Sequence, residues 1–111
     1  MSAISIEQGS GNVYADLGLA DAQEMLVKAK LASKIADILK RQSLTQSQAA
    51  IVLAMPQPKV SMLLRGQFRG ISEAKMLECL ARLGRDVDIV VKPMRRRSSA
   101  RSLGQVNVVF A

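Results

Sequence analysis

The chain has 111 residues, of which 49% are apolar, so it can form one compact domain with its own core, and disorder throughout is not expected. It has no histidine and a single cysteine, Cys79, which excludes histidine-based catalysis, histidine metal ligands and an intrachain disulfide. The formal net charge of +7 favours a polyanionic partner such as nucleic acid, or a membrane surface.

Residues 1–20 are predicted to form an extended arm, because the Gly-Ser-Gly-Asn sequence at 9–12 interrupts regular structure. The arm lacks the basic and apolar regions of a secretory signal, and no apolar stretch approaches the roughly 18 residues of a membrane span. We therefore expect a cytoplasmic protein without a membrane role.

The first helix is predicted between about Asp21 and Gln42. Asp21 can cap its N-terminus, and Glu24, three residues later, completes a capping box. One face of this helix collects the apolar side chains that are expected to enter the core: Leu31, Ile35, Ile38 and Leu39.

Two short helices joined by a tight turn follow, and they form the most informative part of the sequence. Thr45 is a suitable N-cap for a helix from Gln46 to about Leu53, and the second helix is predicted at about 57–65, before Gly66. Two helices that cross at a sharp angle need small or apolar side chains at fixed offsets, and these are supplied by Ala49, Ala50, Leu53, Met55, Val60 and Leu63. The pattern predicts a helix-turn-helix unit, whose second helix lies in the major groove of DNA.

The turn of this unit is predicted at residues 54–56. Its first residue is usually glycine, because the backbone often takes a positive φ there. Ala54 occupies the position in this chain, which implies either a strain of about 1 kcal/mol or a slightly different turn.

A fourth helix is predicted to begin after Ser72 as its N-cap and to end at Gly84, with Lys75 where a capping box would have an acid. Beyond it the apolar period changes to two, which predicts strands at 86–92 and 105–110 on either side of a loop rich in Arg and Ser. Because the connection is too long for a tight hairpin, exchange of strands between two subunits is slightly favoured over pairing within the chain.

The predicted fold is therefore mainly α: a helix-turn-helix domain of four to five helices at 21–84, followed by a C-terminal β segment of one or two strands at 85–111. The β segment is expected to contribute to a homodimer, since one helix-turn-helix unit reads only a short half-site. The basic run at 95–101 can clamp phosphates, bind an acidic surface or form a solvated loop.

DNA-binding residues are expected in and around the second helix of the unit. Gln57, Ser61 and Met62 are predicted to face base edges, since Gln can pair with adenine at two points and Met can touch a thymine methyl group. The remaining candidates, most of them for phosphate contact, are Thr45, Gln46, Pro58, Lys59, Arg65 and Arg69. No acidic residue occurs between Asp37 and Glu73, whereas five basic residues do, as phosphate contact requires.

The sequence LTQSQAA at 44–50, with QPKVS at 57–61 and LRG at 64–66, resembles the lambda-repressor-like (xenobiotic response element) family. The segments 11–18 and 83–91 are similar to those of its HigA-type antitoxin branch. The resemblance covers nearly the whole chain. It implies a dimeric repressor that binds a palindromic operator, regulates its own operon and neutralises a small RelE-like ribonuclease toxin encoded beside it.

Other functions stay open at this point. A stand-alone or phage-type regulator would have the same DNA-binding unit without a toxin, and an interaction protein could keep the fold without reading DNA. Residues 1–27 carry four acidic and no basic side chains, which suits either contact with a basic toxin or an arm that folds back on its own domain. No enzymatic activity, metal or cofactor is expected, and Cys79 is predicted to be a core residue.

Overall fold

Four α-helices form the regular secondary structure of the described residues, which are 19–94 and 104–111 of the computed structural model. They are α1 (Leu19–Arg41), α2 (Gln46–Leu53), α3 (Gln57–Leu64) and α4 (Glu73–Arg82). The mainly helical prediction is confirmed, including the three-residue turn between α2 and α3. By its internal contacts the chain divides into two units, residues 28–88 and residues 1–27 with 89–111.

The first helix begins earlier than predicted. Because α1 includes Leu19 and Ala20, Asp21 lies in its first turn and does not cap it. Leucine and alanine are strong helix formers, so they extend the helix past the expected cap. A carboxylate in the first turn is still favoured by the helix dipole. The predicted Asp21 cap is therefore wrong, although the predicted helix is right.

The core of the unit 28–88 consists of aliphatic and sulfur-containing side chains. They come from all four helices and from the connections between them: Leu31, Ala32, Ile35, Ile38, Leu39, Ala49, Leu53, Met55, Val60, Leu63, Ile71, Met76, Cys79, Leu80 and Leu83. The inner faces predicted for α1 and for the helix-turn-helix pair are thereby confirmed, except that Ala50 is only half-buried. Full burial of a side chain such as Ile35 or Leu53 is worth about 1.5–3 kcal/mol, so this core fixes where α2 and α3 lie.

The four described helices end in the same way. After each helix comes a residue with a positive φ. Its N–H donates to the carbonyl three residues before it, and the N–H of the following residue donates to the carbonyl five residues before that one, all at 2.8–3.3 Å. The residues with positive φ are Ser43 (55°), Ala54 (55°), Gly66 (79°) and Gly84 (88°). Only glycine adopts this conformation without strain. The ends of α3 and α4, at Gly66 and Gly84, are therefore relaxed. The ends of α1 and α2, at Ser43 and Ala54, are strained.

The described C-terminal residues, 85–94 and 104–111, contain no strand, so the predicted β segment is not confirmed. A strand requires a ladder of backbone hydrogen bonds with a partner. The N–H of Val106 donates to the side-chain oxygen of Gln23 at 2.9 Å, a bond that belongs to no ladder. Pairing of these segments, within the chain or between subunits, stays a prediction.

The predicted arm lies outside the described residues up to position 18, and so does the basic run at 95–101. The roles proposed for these two segments therefore stay predictions. Among the described helices, none is long and apolar enough to cross a membrane.

Candidate nucleic-acid interface

The start of α2 is fixed by a reciprocal pair of hydrogen bonds. The Thr45 hydroxyl accepts from the Gln48 N–H at 3.1 Å, and the Gln48 side-chain oxygen accepts from the Thr45 N–H at 2.9 Å. This capping box places Gln46 at the first position of α2, where it is exposed together with Thr45. A helix N-terminus favours an anion such as a phosphate group, so both predicted contact residues lie where a phosphate would be stabilised.

The turn between α2 and α3 adopts the strained form, the first of the two alternatives that the sequence allows. Ala54 lies in the left-handed region, with φ 55° and ψ 47°. Its carbonyl accepts a hydrogen bond from Lys75 Nζ at 3.3 Å, so a side chain of α4 holds the turn. Pro56 then precedes α3 with φ −60° and ψ 142°. Because the proline ring fixes φ, it limits the directions in which α3 can leave the turn.

Three polar side chains lie along one side of α3 and its C-cap residue at intervals of one helical turn. Gln57, Ser61 and Arg65 are four residues apart and therefore lie one above the other. We call these three residues the polar stripe. Val60 and Leu63 are buried on the opposite side of the helix, so α3 has one face for the core and one face for a partner.

Two side-chain hydrogen bonds restrain the polar stripe. The Ser47 hydroxyl donates to Gln57 Oε1 at 3.4 Å, and Arg65 Nη1 donates to Ser61 Oγ at 3.0 Å. The first bond ties the start of α3 to α2. Gln57 keeps two N–H donors and a second lone pair on its oxygen, so it can still engage a base edge at two points.

Other predicted contact residues lie elsewhere on the surface of α3 or in the segment that follows it. Pro58 and Lys59 are exposed, and Met62 is 38% exposed. Of the three side chains that were predicted to face bases, Gln57 and Met62 are therefore exposed, whereas Ser61 is half-buried. Arg69 is exposed in the connection between α3 and α4.

Arg41 of α1 and the two basic residues of α4, Lys75 and Arg82, form ion pairs, unlike the basic residues around α3. Arg41 pairs with Asp37 at 3.2 Å, while Glu78 binds Arg82 at 2.7 Å and Lys75 at 3.4 Å. No ion pair of the described residues involves the basic candidates for phosphate contact, which are Lys59, Arg65 and Arg69. The positive charge of the interface is thus available to a polyanion.

Two groups of α4 have shifted pKa values. Hydrogen bonds from Arg82 and then Lys75 lower the pKa of the Glu78 carboxyl. Burial raises the pKa of the Cys79 thiol, whose Sγ lies 3.6 Å from Met55 Sδ in the core. A buried thiol with a raised pKa is a poor nucleophile, and the predicted core position of Cys79 is confirmed. The described residues contain no cluster of histidine, cysteine or acidic side chains that could hold a metal.

Two residues that position the site are absent from the sequence-based set. Ser47 reaches Gln57 across ten residues of sequence, and no periodic pattern connects the two. For Lys75 the sequence does give a signal, a basic residue where a capping box favours an acid. The structure supplies the reason, because the ammonium group reaches the carbonyl of Ala54.

The chain is similar to a family of helix-turn-helix domains and to a solved structure. The family model for a helix-turn-helix domain matches residues 13–92. A solved structure that is provisionally assigned as an XRE family transcriptional regulator is 34% identical in sequence, with a TM-score of 0.71, and the match covers 82% of this chain and 99% of that one. No curated protein matches the chain. Both matched regions are long enough to contain α2, the turn and α3.

Proposed function

Since the chain belongs to the family of helix-turn-helix domains, we propose that it is a transcriptional regulator that binds DNA in a sequence-specific way. The observation that carries this proposal is the polar stripe, which presents amide, hydroxyl and guanidinium groups next to one another on α3. Groups of these kinds read base edges in the major groove. The solved structure that is 34% identical is itself assigned as a transcriptional regulator, which supports the same function.

Gln57 is proposed to contribute most to sequence preference, because its amide can pair with adenine at two points. It is the first residue of α3, and the N-terminal side chains of a recognition helix are those that contact base edges. The bond from Ser47 restricts its orientation before DNA arrives, so less conformational freedom is lost on binding. Ser61 and Met62 would add a hydroxyl contact and a contact with a thymine methyl group.

Phosphate contacts are proposed on both sides of the polar stripe. Thr45 and Gln46 would bind a phosphate at the N-terminus of α2. Lys59, Arg65 and Arg69 would add positive charge, since no ion pair of the described residues engages them. Each phosphate that is neutralised releases counterions, so the slope of log affinity against log salt steepens by about 0.9 per contact.

A homodimer on a palindromic operator is the assembly that we propose, because one unit reads only a short half-site. The described C-terminal segments expose many large apolar side chains: Ile89, Val90, Val91, Val106 and Val109. Exposed apolar groups so close in sequence mark an interaction surface. Pairing with the same segments of a second copy would cover them and would supply the backbone ladder that a strand needs.

A second candidate function, neutralisation of a RelE-like toxin by an autoregulating repressor, is favoured by charge. The acidic residues of the segment 1–27 are Glu7, Asp16, Asp21 and Glu24, and the segment has no lysine or arginine. A toxin that cleaves RNA is expected to be basic, because it binds a polyanion. Co-expression with the product of the neighbouring reading frame tests this candidate. We expect rescue of growth by the full chain and loss of rescue, with DNA binding kept, when residues 1–20 are deleted.

A DNA titration tests the main proposal. Fluorescence anisotropy would compare the duplex upstream of the protein's own reading frame with a scrambled duplex at several salt concentrations. We expect preference for the upstream duplex and an affinity for both that falls as salt rises. Equal affinity for the two duplexes would contradict sequence-specific regulation, and absence of binding would favour an interaction protein that does not read DNA.

Two substitutions in the first turn of α3 separate base reading from phosphate contact. Gln57→Ala should weaken operator binding by about 1–3 kcal/mol and relax the sequence preference. Lys59→Ala should weaken binding to all sequences alike and reduce the salt slope by about one unit. If Gln57→Ala keeps the wild-type ratio of operator to scrambled affinity, Gln57 does not read a base. If Lys59→Ala keeps the slope, Lys59 does not contact a phosphate.

A further inference from the structure

Lys28 is the charged side chain that the fold buries among the described residues, with 5% of its surface exposed. Its ammonium group donates a hydrogen bond to the backbone carbonyl of Arg69 at 3.0 Å, although the two residues are 41 apart in sequence. Burying an ammonium group is costly unless hydrogen bonds compensate it. An aliphatic side chain would fill the same place in α1 without that cost, so packing alone does not account for a lysine.

The carbonyl that Lys28 binds belongs to a tight turn behind α3. The N–H of Ile71 donates to the carbonyl of Phe68 at 2.9 Å, which makes Arg69 and Gly70 the central residues of a four-residue turn. Neither central residue has a positive φ, so the turn is of type I and not of type II. The two types differ by a flip of the peptide between the central residues, and that peptide carries the Arg69 carbonyl.

Glycine at the third position of this turn permits both types. Type II needs a positive φ there, which Gly70 can adopt as readily as a negative one. A flip would change ψ of Arg69 and φ of Gly70, and with them the angle at which the Arg69 side chain stands relative to the buried Ile71. The sequence of the turn therefore does not fix the direction of Arg69. A contact from outside the turn is needed to select one of the two types.

We propose that Lys28 is a positioning residue for DNA binding: it holds the Arg69 carbonyl, keeps the turn in its type I form and thereby aims the exposed Arg69 side chain at a phosphate. The inference rests on the proposed function, because it assumes that Arg69 contacts DNA. It adds a residue of α1 that is buried and cannot touch DNA itself.

A rescue experiment tests the proposal. Lys28→Met removes the hydrogen bond with little change in volume, and Gly70→Ala restores the preference for type I, since alanine disfavours a positive φ. A Cβ at position 70 would meet no atom within 4 Å, so the substitution fits. Lys28→Met should reduce the salt slope of DNA binding by about one unit, as Arg69→Ala should. Adding Gly70→Ala to Lys28→Met should restore the slope, and Gly70→Ala alone should leave it unchanged.

A double variant separates positioning from a direct effect of the lysine charge. Lys28→Met combined with Arg69→Ala should have the slope of Arg69→Ala alone, because Lys28 acts only through Arg69. A further loss of about one unit would mean that the Lys28 charge acts on DNA itself, and this would overturn the proposal. Lys30→Met, which removes an exposed charge from the same helix, is the matched control and should leave the slope unchanged.

A measurement without DNA keeps this inference distinct from the proposed function. In a type I turn the amide protons of Arg69 and Gly70 are close together, whereas in type II the Gly70 amide proton is close to the Arg69 α-proton. Nuclear Overhauser intensities should therefore shift towards type II in Lys28→Met and return with Gly70→Ala. Should Lys28→Met not fold, Lys28→Leu, which also lacks a hydrogen-bond donor, takes its place. An unaltered turn in the folded variant would overturn the inference even if the wild-type protein binds DNA.

Discussion

Replacing Ala54 by glycine tests whether the turn between α2 and α3 is strained. The backbone of Ala54, at φ 55° and ψ 47°, lies at the centre of the left-handed region. An L residue pays about 1–2 kcal/mol there. Glycine avoids this strain but loses about 0.4–1 kcal/mol through its greater freedom in the unfolded chain. Ala54 is exposed, so little apolar burial is lost with its methyl group.

We therefore expect Ala54→Gly to stabilise the fold by about 0.5–1 kcal/mol, which raises Tm by roughly 2–8 °C for a domain of this size. Thermal and urea unfolding followed by circular dichroism would measure the change. The bond from Lys75 reaches the backbone carbonyl of residue 54 and does not depend on the side chain. Operator affinity should therefore stay at the wild-type value.

The other helix ends supply matched controls of both signs. Ser43→Gly relaxes the same kind of turn and should also stabilise the fold. Gly66→Ala and Gly84→Ala introduce the same strain, and because a Cβ at either position would meet no atom within 4 Å, any loss of stability is conformational and not steric. If Ala54→Gly destabilises the protein while Gly66→Ala leaves it unchanged, the assignment of strain to these left-handed residues is wrong.

Three further predictions concern a helix contact, the dimer and the core. Lys75→Met should destabilise the fold by about 0.5–1.5 kcal/mol in urea unfolding, because the carbonyl of Ala54 loses its partner; stability equal to the wild type would show that this bond does not hold the turn. Val91→Asp should convert a dimer into a monomer in sedimentation at micromolar concentration, since Val91 is 92% exposed in the single chain. The control Ala81→Asp should leave the dimer intact. A dimer that survives Val91→Asp would place the interface elsewhere. Cys79 should resist thiol reagents at neutral pH until the protein unfolds, because burial raises the pKa of its thiol, and rapid modification of the folded protein would contradict its core position.

The elements that the sequence predicts well are those fixed by local chemistry and by periodicity. Thr45 as a cap, the helix that it starts and the buried residues of α2 and α3 all follow from spacing and capping preferences. For Ala54 the sequence left two alternatives open, a strained positive φ or a different turn, and only the structure decides for the first. The Asp21 cap fails because capping preferences compete with the strong helix propensity of the two residues before it.

The interactions that escape prediction connect residues far apart in sequence. Lys28 bonds to Arg69, and Lys75 bonds to Ala54, yet a long flexible side chain leaves no periodic signature. The pairing of the C-terminal segments belongs to the same class. A period of two shows that a segment suits a strand, but the strand forms only if a partner offers its backbone. That partner cannot be read from the segment itself.

The positions of charged residues in the sequence predict most directly which basic side chains of the candidate site form ion pairs. Ion pairs on the described helices are local, at spacings of three and four residues, as in Asp37 with Arg41 and Glu78 with Arg82. A basic residue therefore needs an acid within one helical turn to be neutralised in this way. Between Asp37 and Glu73 no acid is present, so Lys59 and Arg65 have no acidic residue within four positions. An acid-free segment that spans α2, the turn and α3 thus leaves Arg65, a member of the polar stripe, without an acidic partner, so that its charge is available to a phosphate.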